Sequence, residues 1–511
     1  MDEVDKTSEH WFLAENPLLE GIPQFSFDEL AEGLSFSPFA GINWATLSSA
    51  DQLEALRVPR DPYEPTKLGL RAAANVLAML RGGLRARNPL LSANRRALAK
   101  ILQAEASGEV VLPKLPHATF SVQVWMGVTG TGKSALLASI LRLLPEQVIE
   151  RDPCPDLWTR QKQLLYLVIS MSHDGSRGGL LEAILEKMDD QLGTTYAIDL
   201  PKQHRTVERL VVATVARMHA HYLGLFVLEE AQWRNLVGSA QAEVMQLFLL
   251  ALMNTGIPVL MIGNPRAFDW ITEFSQDMRR LNEHAIEYLH PVGAMDEPSF
   301  KNDWDAVHYG VTNVYVLPLP PRDHDECKLF LKRASGGIPG LALTLWCNAQ
   351  KTAIEENWTS IGLEDLKREY EATGYANNRR VADAFHYRDA IALRTVKDAP
   401  FEIYEAAWGK GPTTAPVSTS TSAAQGGNSG HASTTQPKAT AQADIDAAAA
   451  QVTKRDRTSQ RASSTRVKRQ DEVRQTLRET LSEQDMRIEG LKQHAIEGLN
   501  AILERVAKNG K

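Results

Sequence analysis

The chain has 511 residues, too many for one core, and its length calls for two to four domains. An apolar fraction of 43% and a charged fraction of 23% describe a globular protein, and a net charge of -7 excludes any overall pull toward nucleic acid, so such binding would come from local patches. No apolar run approaches the ~20 residues that cross a bilayer, the acidic start Met1-Asp2-Glu3 lacks a leader core, and Cys154, Cys327 and Cys347 lack metal-ligand spacing, so a cytoplasmic protein with buried thiols and no membrane partner is expected.

Residues 1–115 carry short helical patterns broken by prolines and are expected to be a helical, partner-docking region. The pattern over 67–80 predicts a helix that Arg81-Gly82-Gly83 ends. Over 116–292 strand and helix signals alternate, which predicts an α/β core with a parallel five-stranded sheet. The predicted strands are 122–126, 164–169, 223–228, 259–263 and 285–289, and the clearest helices are 207–219 and 240–254. Residues 293–400 return to helices, notably 322–334, 339–355 and 363–372. From 401 to 470 composition moves to Thr, Ser, Ala, Gly and Gln with a basic end, the mark of a flexible linker. Residues 471–511 place Val473, Leu477, Leu481, Ile488 and Leu491 on one face of an amphipathic helix. That tail either captures DNA or a partner protein, or packs back on its own domain.

The chemistry is concentrated after the first predicted strand. Gly127-Val128-Thr129-Gly130-Thr131-Gly132-Lys133-Ser134 is a complete phosphate loop, followed by Ala135 and a good helix former. Its glycines let several N–H groups point at one phosphate chain, and the helix N-terminus adds positive potential. Lys133 would reach the β- and γ-phosphates, and the Ser134 hydroxyl would ligate Mg²⁺. About a hundred residues on, a strand ends in Glu229-Glu230. Glu229 takes the metal-side place, where Asp is commoner, and Glu230 is the candidate general base. Two exposed acids ending a strand is the plainer alternative. Asn264 ends the 259–263 strand, and a turn before Pro265 would account for it equally well.

The order of these pieces resembles the AAA+ ATPases, whose helical lid follows the core as residues 293–400 do here. That resemblance implies a sensor role for Asn264, which orients the attacking water. It also implies an intersubunit arginine finger at Arg279 or Arg280, although arginines on a helix are more often solvated. Many relatives carry a lid arginine after the Gly-Ile-Pro turn, but Gly340 stands there in this chain.

Several further stretches resemble TnsC and TniB, the AAA+ regulators of Tn-seven-type transposition. They are Glu15-Asn16-Pro17-Leu18, Arg87-Asn88-Pro89, Ser172-His173-Asp174-Gly175, His221-Tyr222-Leu223-Gly224 and Gly263-Asn264-Pro265-Arg266. The similarity spans residues 10–375. It implies an ATPase that uses ATP and Mg²⁺ and assembles as a homo-oligomeric ring or filament on double-stranded DNA. Such a protein links a target selector (TnsD/TniQ-like) to the transposase (TnsA/TnsB-like), with slow hydrolysis controlling assembly. The implied DNA-facing residues are Arg177, Lys202, Arg205 and Thr206. Thr206 is also a candidate N-cap for the helix after it. A DNA-translocating or helicase-loading motor, and a signalling ATPase without DNA contact, are the competing readings.

Overall fold

The computed structural model describes residues 11–57, 62–115, 121–155, 157–170, 179–231, 240–268, 286–295, 303–396 and 399–409, with backbone only at 230, 231, 240–246, 266 and 267. Among the described residues the chain opens with helices α1 (Phe27–Leu34), α2 (Ser49–Ala55), α3 (Lys67–Ala86) and α4 (Ser92–Ser107). The α/β core follows: β1 (Val122–Met126), α5 (Lys133–Leu143), β2 (Val148–Arg151), β3 (Gln161–Leu164), β4 (Tyr166–Ser170), α6 (Gly179–Leu192), α7 (Tyr196–Gln203), α8 (Val207–Ala220), β5 (Leu225–Ala231), α9 (Ala240–Asn254), β6 (Val259–Gly263) and β7 (Ile286–Tyr288). The five-stranded sheet has the order β4-β5-β6-β1-β7, every pairing parallel. This is the α/β architecture that the alternating signals predict.

Each strand alternates between two cores, because successive side chains point to opposite faces. Val124, Met126, Val259 and Met261 pack on one face beneath α6, α8 and α9, while Trp125, Leu260 and Ile262 pack on the other against α3 and α5. Helices from the first hundred residues therefore help to cover both faces, α4 joining the first core through Ile101 and Ala104 and α3 the second through Val76 and Leu80.

Two elements of this region depart from the sequence expectation. The predicted strand 164–169 is two strands: β3 pairs antiparallel with β2, and the chain then passes through Leu165 into β4 of the main sheet. One apolar run spans that change of partner, so composition does not mark it. The predicted end of α3 at Arg81-Gly82-Gly83 is also corrected, since the helix continues to Ala86. Gly83 is there for close packing: a Cβ would lie 2.4 Å from the Pro258 ring. The helix ends instead on Arg87, fully buried, which donates to the Gly83 carbonyl at 3.0 Å and the Leu223 carbonyl at 2.6 Å.

After the core come α10 (Asp303–Thr312), α11 (His324–Ser335), α12 (Pro339–Glu355), α13 (Leu363–Glu371), α14 (Ala376–His386) and α15 (Ala390–Leu393), followed by α16 (Phe401–Trp408). Phe401–Trp408 is helical where the linker was expected to begin, because Tyr404 and Trp408 have partners: Tyr404 bonds to His290 at 3.0 Å, and the Trp408 indole donates to the Ala294 carbonyl at 2.7 Å. The helical bundle has its own core around Trp304, Leu331, Leu345 and Trp346, against which Phe39, Trp44 and Leu53 of the N-terminal region pack. Cys327 and Cys347 are buried free thiols and Cys154 is half-buried. No described helix is long and apolar enough to cross a membrane. The rest of the expected linker and the tail helix lie outside the described residues.

Candidate active site

A cleft of about 510 Å³ opens at the carboxyl ends of the central strands. Its floor is the phosphate loop. β1 ends at Met126, paired with Gly263 of β6, so Gly127 and Asn264 leave the sheet side by side at one edge. β5 lies on the other side of β6. The sheet order thus sets the phosphate loop, Asn264 and the two acids on three adjacent strands, where parallel sheets bind their ligands.

The β5–β6 ladder is interrupted at the acids. Leu228 pairs with Met261 and Ala231 with Gly263, so Glu229 and Glu230 together oppose the single residue Ile262. A bulge of this kind leaves one residue outside the ladder and re-aims its side chain. The sequence shows two consecutive acids, and the extra residue interrupts the strict alternation of the strand at that place. Glu229 is half-buried and paired in register with Ser170 of β4. The side chain of Glu230 is outside the described residues.

Within the loop, Gly130 (φ +89) and Gly132 (φ +92) adopt the left-handed backbone that a nest of inward N–H groups requires. Gly127 has a separate reason, since a Cβ would lie 2.6 Å from the Leu289 carbonyl oxygen. Lys133 begins α5 and donates its ammonium to the carbonyls of Gly127 at 2.8 Å and Val128 at 3.0 Å, while the Thr131 hydroxyl donates to Val128 at 3.0 Å. Val128 is buried against Ile338 and Phe385 of the helical bundle. Thr129, Ser134 and Ala135 line the cleft, with Thr129 and Ser134 exposed. Two left-handed glycines, a helix N-terminus and a lysine at one end of such a cleft fit a triphosphate. The Ser134 hydroxyl and a carboxylate at the same strand edges are the oxygen donors a magnesium ion takes.

The opposite wall was not anticipated from the sequence. It is built from Pro62, Tyr63, Glu64 and Thr66 ahead of α3, together with Val307, Gly310 and Val311 of α10. Thr66 caps α3 by accepting from the Gly69 amide at 3.1 Å, and the Lys67 amide donates to Asp303 Oδ1 at 3.0 Å, which ties the start of α3 to the start of α10. Burial, with the nearby charges of Asp303 and Glu64, holds the Tyr63 hydroxyl well above its ordinary pKa, so it stays neutral. A threonine directly before the predicted helix 67–80 is the one sequence signal available there.

Residues 121–271 match the family model of an AAA domain. The chain carries a P-loop AAA-type ATPase domain. No curated protein matches it. The matched span of this ATPase domain runs from the residue before β1 past β6, so it contains the phosphate loop, the acid-bearing bulge and Asn264.

The other expected site residues lie elsewhere. Lys202 is in the last turn of α7, and Arg205 and Thr206 follow in the connection to α8, all three exposed. Thr206 is the N-cap of α8, its hydroxyl accepting from the Arg209 amide at 3.4 Å. Arg177, Arg279 and Arg280 lie outside the described residues.

Proposed function

We propose that this ATPase is a nucleotide-controlled assembly factor of the TnsC/TniB kind. In that reading it oligomerises with ATP and Mg²⁺ on double-stranded DNA and bridges a TnsD/TniQ-like selector to a TnsA/TnsB-like transposase. The observation carrying the ATPase part is the convergence of phosphate loop, bulged acids and Asn264 on one sheet edge beside a cleft of about 510 Å³. Lys133 leaves its loop carbonyls for the phosphates, and the loop amides hold the transferred charge. Ser134 and Glu229 would hold a magnesium ion, which would supply positive charge to offset that of the phosphates. Glu230 takes the proton of the attacking water, which Asn264 orients, and Arg279 or Arg280 reaches the γ-phosphate of a neighbouring subunit.

Support for DNA contact is local. Lys202, Arg205 and Arg209 are three exposed cations in and beside the α7–α8 connection, in a chain of net charge -7. Such groups neutralise phosphates without reading sequence. Thr206 keeps its cap at the same time.

The test is electron microscopy of the full chain with duplex DNA and a non-hydrolysable ATP analogue. Nucleotide-dependent rings or filaments are expected, lost in Lys133→Ala and persistent with ATP in Glu230→Gln. Monomers unchanged by DNA and analogue would favour a signalling ATPase instead. Fast DNA-stimulated turnover with movement along DNA would favour a motor.

A further inference from the structure

The helical bundle touches the phosphate loop backbone to backbone. The Gly340 amide donates to the Gly130 carbonyl at 2.9 Å. The fit leaves no space for a side chain: a Cβ on Gly340 would lie 2.9 Å from the Gly130 Cα and 3.1 Å from its carbonyl oxygen. Ile338, immediately before the helix, closes over the same residue, 3.1 Å from where a Gly130 Cβ would be. Helix α12 therefore begins on the phosphate loop.

The local sequence explains why this contact belongs to the helix start. Pro339 at the first helical position has no N–H, and no side chain caps the helix. The Leu341 and Ala342 amides both donate to the Ile338 carbonyl. Gly340 holds the first-turn N–H that points outward, and the phosphate loop supplies its acceptor. In effect Gly130 caps α12.

The acceptor is one end of a peptide plane whose other end belongs to the phosphate loop. A trans peptide is rigid and directs its C=O and N–H to opposite sides. The Gly130–Thr131 unit presents its carbonyl to α12, and its other end is the Thr131 amide of the phosphate loop. That amide now makes a long bond of 3.4 Å to the Val128 carbonyl. An anion that accepted from the Thr131 amide would fix this plane, and with it the carbonyl that caps α12.

Resting on the nucleotide reading above, we propose that Gly340 and Gly130 form a nucleotide-sensitive latch. Triphosphate in the loop locks the peptide that holds α12, and the helical bundle closes on the core without any charged side chain from α12. Gly340 is here a positioning residue: it acts on the nucleotide through the loop. A glycine at this place is required by the approach, where many AAA+ relatives carry an arginine.

The test is hydrogen–deuterium exchange of the full chain, read on peptides covering 339–343, with and without Mg²⁺ and β,γ-imido-ATP. In the wild type the analogue is expected to slow exchange there at least tenfold. In Gly340→Ala that protection is expected to vanish and the analogue to bind about tenfold more weakly, while the exposed control Lys351→Ala behaves as wild type. Wild-type protein that binds the analogue with no change at 339–343 would overturn the latch and leave the nucleotide site standing, a result that needs no folded variant. Gly340→Ala binding as tightly as wild type, with full protection, would overturn it too. Absence of analogue binding in the wild type would remove the nucleotide reading and the latch together.

Discussion

The floor of the cleft is eight consecutive residues, 129–136, whereas its far wall is gathered from residues 62–69, 307–311 and 339–343. The floor works through its own backbone: two left-handed glycines and the first turn of α5 create the anion nest wherever β1 leads. The wall has no such local cause. Tyr63 stands where it does because α3 is seated on the sheet, and α3 is seated because Gly83 admits Pro258 and Arg87 bonds to the Leu223 carbonyl just ahead of β5. Damage to the floor is therefore expected to remove chemistry at constant stability, and damage to the wall to cost stability and binding together.

The largest effect belongs to the catalytic edge. Glu230→Gln is expected to lower ATP hydrolysis by about a thousandfold while nucleotide binding stays within a few fold, as phosphate release and equilibrium titration would report. Hydrolysis at the wild-type rate would remove Glu230 as the base. The wall should respond in the opposite manner. Arg87→Leu leaves the Gly83 and Leu223 carbonyls without a donor in the interior, and is expected to cost about 2 kcal/mol in chemical denaturation. Unchanged stability would mean that α3 is seated by other contacts. Tyr63→Ala should weaken nucleotide binding about tenfold, roughly 1.4 kcal/mol, with a measurable loss of melting temperature. Full affinity in that variant would sever the wall from the site.

The smallest effect lies beneath the wall. Burial, and secondarily the charge of Arg87, lowers the pKa of His219 from 6.5 to about 3. Unfolded His219 takes up a proton near 6.5 and the folded one does not, so its contribution to stability is present above 6.5 and is lost as pH falls toward 3. Between pH 8 and pH 6 this amounts to about 0.8 kcal/mol, which should disappear from the pH dependence of His219→Leu. A variant with the wild-type pH dependence would show that His219 is not the group responsible.

What could be read in advance follows the same division. The loop 127–134, the acids and Asn264 are contiguous signals at strand ends, so pattern alone locates them on the core. The bulge at Glu229 and Glu230 leaves no mark in the sequence, because two acids ending a strand look alike with or without an extra residue in the ladder. Gly82-Gly83 is ambiguous in sequence because glycine serves both to end helices and to admit a close neighbour, and Pro258 is 175 positions away in the chain. Tyr63 carried no signal, since its role arises from long-range packing of α3 and α10. The expected linker missed α16 because its anchors, His290 and Ala294, lie more than a hundred residues earlier.

Every role given to the cleft requires a triphosphate held at the loop that Lys133 closes. Isothermal titration of the full chain with ATP and Mg²⁺, beside Lys133→Ala at matched concentration, tests it most directly. Saturable binding in the wild type that falls at least a hundredfold in Lys133→Ala, with both proteins melting at the same temperature, is the predicted result. Equal binding by the two proteins, or none by the wild type, would contradict it.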